Sequence, residues 1–123
     1  MATALEKLKL AKRHLERVLV AWDEPTDWDD VSLYGFYCLE AAVEAAALHF
    51  RLKISRKHWE KVDLAGVLHK KKALPDIGEL LHDLNNARKA AAYGDISCPE
   101  LDAEAVASEI EAYVNAVAAI LGV

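Results

Sequence analysis

Apolar residues recur at intervals of three and four along most of this chain, the spacing of amphipathic helices rather than the alternation of strands. Leu5, Leu8, Ala11, Leu15, Val18, Leu19 and Trp22 form one stripe, which predicts a first helix from about Thr3 to Trp22. Thr3 and Glu6 open it as a T-x-x-E capping box, and Lys7, Lys9, Lys12, Arg13 and Arg17 lie off or beside the stripe. Pro25 and the acidic run around it form a loop. A second helix is predicted from Asp30 or Val31 to Leu52, apolar over more than half its circumference. Such a helix is either central in a bundle or shared with a partner chain.

A third helix should start at Ser55 as N-cap and end near Lys72. Its weaker stripe is Trp59, Val62, Leu64, Val67, Leu68 and Ala73, and Lys70, Lys71 and Lys72 favour the negative end of the helix dipole. Pro75 separates it from a fourth helix over Pro75 to Ala92, with Ile77, Leu80, Leu81, Leu84, Ala87, Arg88 and Ala91 on one face and Gly94 placed as C-cap. A fifth runs from about Asp102 to Leu121, with Val106, Ile110, Tyr113, Val114, Val117, Ile120 and Leu121 inward. Short connections imply antiparallel neighbours. The expected fold is therefore all-α, an up-and-down four-helix bundle with an additional fifth helix, in one domain over residues 1–123.

Composition agrees, with abundant alanine and only five glycines and three prolines. The N-terminus runs straight into a charged helical pattern, and no uninterrupted apolar run approaches the ~18 residues of a spanning helix. The expectation is a cytoplasmic protein with no membrane contact. Cys38 and Cys98 lack C-x-x-C spacing and are expected as reduced thiols.

The net charge of −5 conceals an uneven distribution. Between Arg51 and Lys72 there are eight Lys/Arg and two acids, whereas from Ala90 to Val123 there are six acids and no Lys or Arg. That pattern excludes a chain that binds nucleic acid on every side and permits one with a single basic face. The block Arg51, Lys53, Arg56, Lys57 and Lys61, with Lys70 to Lys72, either contacts phosphates or is a solvated face. Trp59 inside it either stacks on a base or packs in the core, and its helical spacing assigns it to the core.

Arg88 is the sharpest local anomaly. It follows Leu84 by four residues, Leu81 by seven and Ile77 by eleven, within roughly 40° of the buried stripe at ~100° per residue. An arginine there snorkels to water, pairs with an acid such as Glu40 or Glu44, or lines a cleft.

The run Arg88-Lys89-Ala90-Ala91-Ala92-Tyr93-Gly94-Asp95, near the end of the fourth helix, resembles the HEPN family (higher eukaryotes and prokaryotes nucleotide-binding domains). Its signature is an Arg, four to six residues, then a His. The alanine- and glutamate-rich second helix, Tyr37-Cys38-Leu39-Glu40-Ala41-Ala42-Val43-Glu44-Ala45, is similar too. The resemblance implies a homodimer in which Arg and His of both subunits line a cleft and cleave RNA without metal. Many members act as toxins beside a minimal nucleotidyltransferase or in phage defence; others have lost the His and serve as binding modules. On this parallel Arg88, Lys89 and Asp95 are nucleotide- or RNA-binding candidates, with Arg88 and Tyr93 as the catalytic pair.

Tyr93 stands at the family's His position. Metal-free RNA cleavage needs a group that takes the 2′-hydroxyl proton and one that protonates the leaving 5′-oxygen. Imidazole does both near neutral pH, whereas a phenol is a poor base there. An arginine can still hold a phosphate through paired donors. The expectation is RNA or nucleotide binding with a degenerate endoribonuclease site. The alternative is a non-catalytic module partnering a minimal nucleotidyltransferase in a toxin–antitoxin or defence system. Arg88 and Tyr93 lie about 140° apart round a continuous helix, so a cleft using both requires two chains. The histidines, His14, His49, His58, His69 and His82, show no metal-ligand spacing, and no cofactor is implied. His82 lies on a different face from Arg88 and is no ready substitute for the family His.

Overall fold

Thr3 accepts a hydrogen bond from the Glu6 N–H at 3.1 Å and so opens α1 (Ala4–Ala21) where the T-x-x-E pattern places it. The chain is seen in a computed structural model that describes residues 2–123 except Glu24, Ser55 and 94–100, and describes Tyr93 by its backbone alone. Four more helices follow: α2 (Trp28–His49), α3 (His58–Lys72), α4 (Gly78–Tyr93) and α5 (Ala103–Leu121). Among the described residues there is no strand, so the all-α class holds.

The boundaries follow capping chemistry. Asp27, not Asp30, caps α2, accepting from the Asp30 N–H at 3.1 Å. Asp102 caps α5 through the N–H groups of Glu104 and Ala105. The expected cap of the third helix, Ser55, and the Gly94 C-cap lie outside the described residues. The residue that precedes α3 is Lys57, which makes no side-chain cap bond.

α2 packs against all four other helices. Val31, Phe36, Cys38, Leu39 and every position from Ala41 to Ala47 are buried, so its broad apolar circumference is consumed inside the fold. By length and composition alone α2 would suit a membrane span, yet most of it is covered here by its neighbours. Small residues bring the helices close. The Cys38 Sγ lies 3.2 Å from the Ala11 carbonyl oxygen, and burial pushes that thiol up to about 12. A Cβ on Gly35 would stand 3.0 Å from Ile110 Cδ1 and 3.3 Å from Leu84 Cδ1, so a glycine there lets α4 and α5 approach α2.

The helix directions depart from a strict up-and-down order. α1 and α2 are antiparallel, with Lys7 beside Glu44, Ala11 beside Cys38 and Arg17 beside Tyr34. Along α2 and α3 the contacts rise together: His58 meets Glu40, Lys61 meets Glu44, and Lys72 lies over Phe50. The two helices run the same way because the segment between them returns along α2. α3 and α4 are then antiparallel, with His69 bonded to the Leu74 carbonyl and Gly78 against Val62.

The predicted stripe of α3 is corrected. Trp59 is 62% exposed, and Val67 and Ala73 also face solvent. The buried positions are Lys61, Ala65 and Leu68. In α4, Ile77, Leu80, Leu81, Leu84 and Ala87 are buried as predicted, but Arg88 is half-buried and Ala91 is exposed, so the stripe ends at Ala87.

Among the described residues, left-handed residues close three helices. α5 uses Gly122 (φ 79°), whereas α2 is followed by Arg51 (φ 59°) and α3 by Ala73 (φ 57°), both strained in that region. Ala73 is exposed and makes its contribution through the backbone. Ala73→Gly is expected to stabilise the fold by about 0.5–1 kcal/mol, a rise of a few degrees in Tm that a thermal melt followed by circular dichroism measures.

Candidate functional site

Two acids one turn apart, Glu40 and Glu44, interrupt the apolar run of α2. Lys61 of α3 is 5% exposed and its ammonium bridges both, at 3.2 Å from Glu40 and 2.6 Å from Glu44. Lys7 of α1 reaches the other oxygen of Glu44 at 2.7 Å, and the His58 Nδ1 pairs with the same oxygen of Glu40 that Lys61 approaches. Charges thus alternate from α1 through α2 to α3. Burial, the largest influence on Glu44, pushes its carboxyl up. The hydrogen bonds and charges of Lys61 and Lys7 outweigh it and hold the group below its ordinary 4.5.

This network occupies the acids that sequence reasoning offered to Arg88. Among the described residues no carboxylate pairs with Arg88. Its guanidinium lies over the Phe36 ring, 4.9 Å from the centroid, and Nη2 donates to the Asn85 side-chain oxygen at 2.7 Å. Its Nε is buried and has no acceptor among the described residues. Phe36 also takes the His58 ring edge-on at 5.2 Å, so the guanidinium and the imidazole lie no more than about 10 Å apart by these two distances. Phe36 and Glu40, one turn apart on α2, thereby set the positions of Arg88 and His58 within a single chain.

The other candidates are distributed as follows. Lys89 is half-buried beside Arg88 on α4. Tyr93 is the last residue of α4; its side chain, and Asp95 entirely, lie outside the described residues. His82 is exposed and contacts Asn86 at 3.2 Å, away from the Phe36 ring. Lys61, expected in the phosphate-contacting block, is instead a buried ion-pair partner. Lys70, Lys71 and Lys72 sit at the far end of α3, roughly 20 Å along the helix from His58. Among the described residues no group of His, Cys, Asp or Glu is placed to hold a metal ion.

His58 and Lys61 were missed as members of the site. The signal was present in the sequence: two acids at i and i+4 on an otherwise buried helix demand cations, and the next helix carries His58 and Lys61 three apart.

Charge is segregated over the surface. Lys9, Lys12, Arg13 and Arg17 are exposed along α1, where Arg17 lies over Tyr34 and His14 stacks on the same ring. Burial, and then the charges of Arg13 and Arg17, hold His14 below its ordinary 6.5, so it is neutral at pH 7. A groove of about 390 Å³ between α4 and α5 is lined by Asp76, Glu79, Asp83, Asp102 and Glu109. An anion is repelled there.

Lys61→Ala would remove the buried cation shared by buried Glu44 and half-buried Glu40, leaving them only Lys7 and His58, and is expected to destabilise the fold by ~3 kcal/mol in chemical denaturation, against less than ~0.5 kcal/mol for the exposed Lys53→Ala. Because the carboxyl of Glu44 is held below 4.5 in the folded chain, the stability it supplies is full above that pH and is lost as pH falls through the lowered value. Melts from pH 7 to pH 3 are expected to show that acid loss, with a shallower slope for Glu44→Gln.

Compared with protein families, with curated proteins and with solved structures, the chain matches none.

Proposed function

We propose that this chain is a HEPN-like helical protein that binds RNA or a nucleotide by holding a phosphate on Arg88, at a ribonuclease site made degenerate by Tyr93. The observation that carries the reading is the state of Arg88: a half-buried guanidinium fixed over Phe36 and by Asn85, with, among the described residues, no carboxylate paired to it and no acceptor for its buried Nε. A structural arginine of this burial would normally be neutralised by an acid. Glu40 and Glu44 are instead held by Lys61, Lys7 and His58, which supports a reading in which Arg88 takes an external anion. A guanidinium presents paired donors that match phosphate oxygens.

The homodimer implied by the family parallel belongs to this proposal, but phosphate capture by Arg88 requires one chain only. The competing reading, a non-catalytic partner of a minimal nucleotidyltransferase, draws on the apolar circumference of α2 and on the acidic α5; the α2 surface is buried within the chain, whereas Glu104, Glu109 and Glu111 of α5 are exposed.

The test is binding of a labelled single-stranded RNA oligonucleotide by anisotropy at two or more salt concentrations. Arg88→Ala is expected to weaken binding roughly tenfold, with Arg88→Lys intermediate, and to reduce the salt slope by about one. Equal binding by wild type and Arg88→Ala would overturn the reading. Robust cleavage in the presence of a chelator, abolished by Arg88→Ala, would overturn the degenerate-site part alone.

A further inference from the structure

Trp59 is the most exposed aromatic side chain among the described large apolar residues, at 62%. It sits in the first turn of α3, one residue after His58, whose ring touches Phe36 beneath Arg88. Lys57 lies over the indole, 5.7 Å from its centroid. The segment that leads into it carries Arg51, Lys53, Arg56 and Lys57 and no acid. Core packing does not explain this tryptophan: the buried face of α3 is set by Lys61, Ala65 and Leu68, and Trp59 projects away from it.

An exposed indole beside a basic segment is the arrangement by which proteins hold single-stranded nucleic acid. The ring stacks on a base face, which every base offers, and cations follow the backbone. A duplex keeps its base faces stacked on one another and offers the indole only edges and phosphates. Trp59 thus discriminates strandedness where Arg88 alone does not.

We propose that Trp59 is a nucleobase-stacking platform that makes this protein selective for single-stranded RNA, with the phosphate on Arg88 and an unstacked base of the same strand on Trp59. The two positions are linked through the ring contacts of Phe36 with Arg88 and His58, and Lys57 stands beside the indole. The proposal rests on the RNA-binding reading of Arg88 and adds the class of ligand.

The experiment compares a labelled single-stranded ten-nucleotide RNA with a blunt RNA duplex, using wild type, Trp59→Ala, Trp59→Phe and Arg88→Ala. Trp59→Ala is expected to weaken single-strand binding roughly tenfold, while Trp59→Phe, which keeps a stacking ring, loses less than about threefold. Duplex binding, weaker in wild type, does not change with Trp59→Ala. Saturation with the single strand quenches wild-type tryptophan fluorescence, and that quench is lost in Trp59→Ala although Trp22 and Trp28 remain. Because Trp59 is exposed, an unchanged Tm confirms that the variant is folded. Single-strand binding by Trp59→Ala within twofold of wild type, or a wild type that prefers duplex, overturns the proposal. If Arg88→Ala weakens binding and Trp59→Ala does not, the Arg88 reading stands and this one falls; if wild type binds no RNA, both fall. Conversion of a dimer to a monomer by Trp59→Ala in sedimentation, with RNA binding unchanged, assigns the indole to a protein interface and also overturns it.

Discussion

The ammonium of Lys61, buried between Glu40 and Glu44, is the interaction on which the placement of α3 depends. α3 has a thin apolar face, Ala65 and Leu68 with half-buried Val62 and Leu64 beside them. Hydrophobic burial by so few side chains leaves its rotation poorly determined. Two charge-assisted contacts at fixed positions on α2 determine it instead. A buried ion pair adds little net stability over an apolar substitute, but removal of one partner strands a charge in the core. Its contribution here is specificity of orientation.

That orientation has two consequences for the surface. It turns Trp59 outward and His58 toward Phe36, so an aromatic platform and an imidazole stand at the same end of α3. It also commits the carboxylates of α2 to lysines and a histidine, leaving the Arg88 guanidinium to rest on an aromatic face and an amide oxygen. The pairing of Arg88 is therefore decided by the lysines and histidine that hold the α2 carboxylates. The acidic groove between α4 and α5, with Glu79 and Asp83, lies on the other flank of α4 from Arg88.

Much of this was legible in the sequence. The helical period, the Thr3–Glu6 cap, the stripe from Ile77 to Ala87 and the inward set of α5 are local consequences of side-chain spacing, and the structure has each of them. Arg88 stood out because a charge on an apolar stripe is visible in one dimension. The errors share a cause. Trp59 was assigned to the core because spacing ranks positions by hydrophobicity, and Lys61 was assigned to the surface for the same reason. Both were inverted by a pairing between residues some twenty apart in the chain, which a periodicity within one helix does not contain.

The sequence by itself determined the helices, their order and the identity of the unusual arginine, because propensity, capping and amphipathic period act within a few residues. Tertiary structure alone decided that α2 is enclosed by its own chain, that α2 and α3 run the same way, and that Glu40 and Glu44 belong to Lys61, Lys7 and His58 rather than to Arg88. Which cation satisfies which buried acid depends on distances between helices, and those are fixed only when the whole core packs.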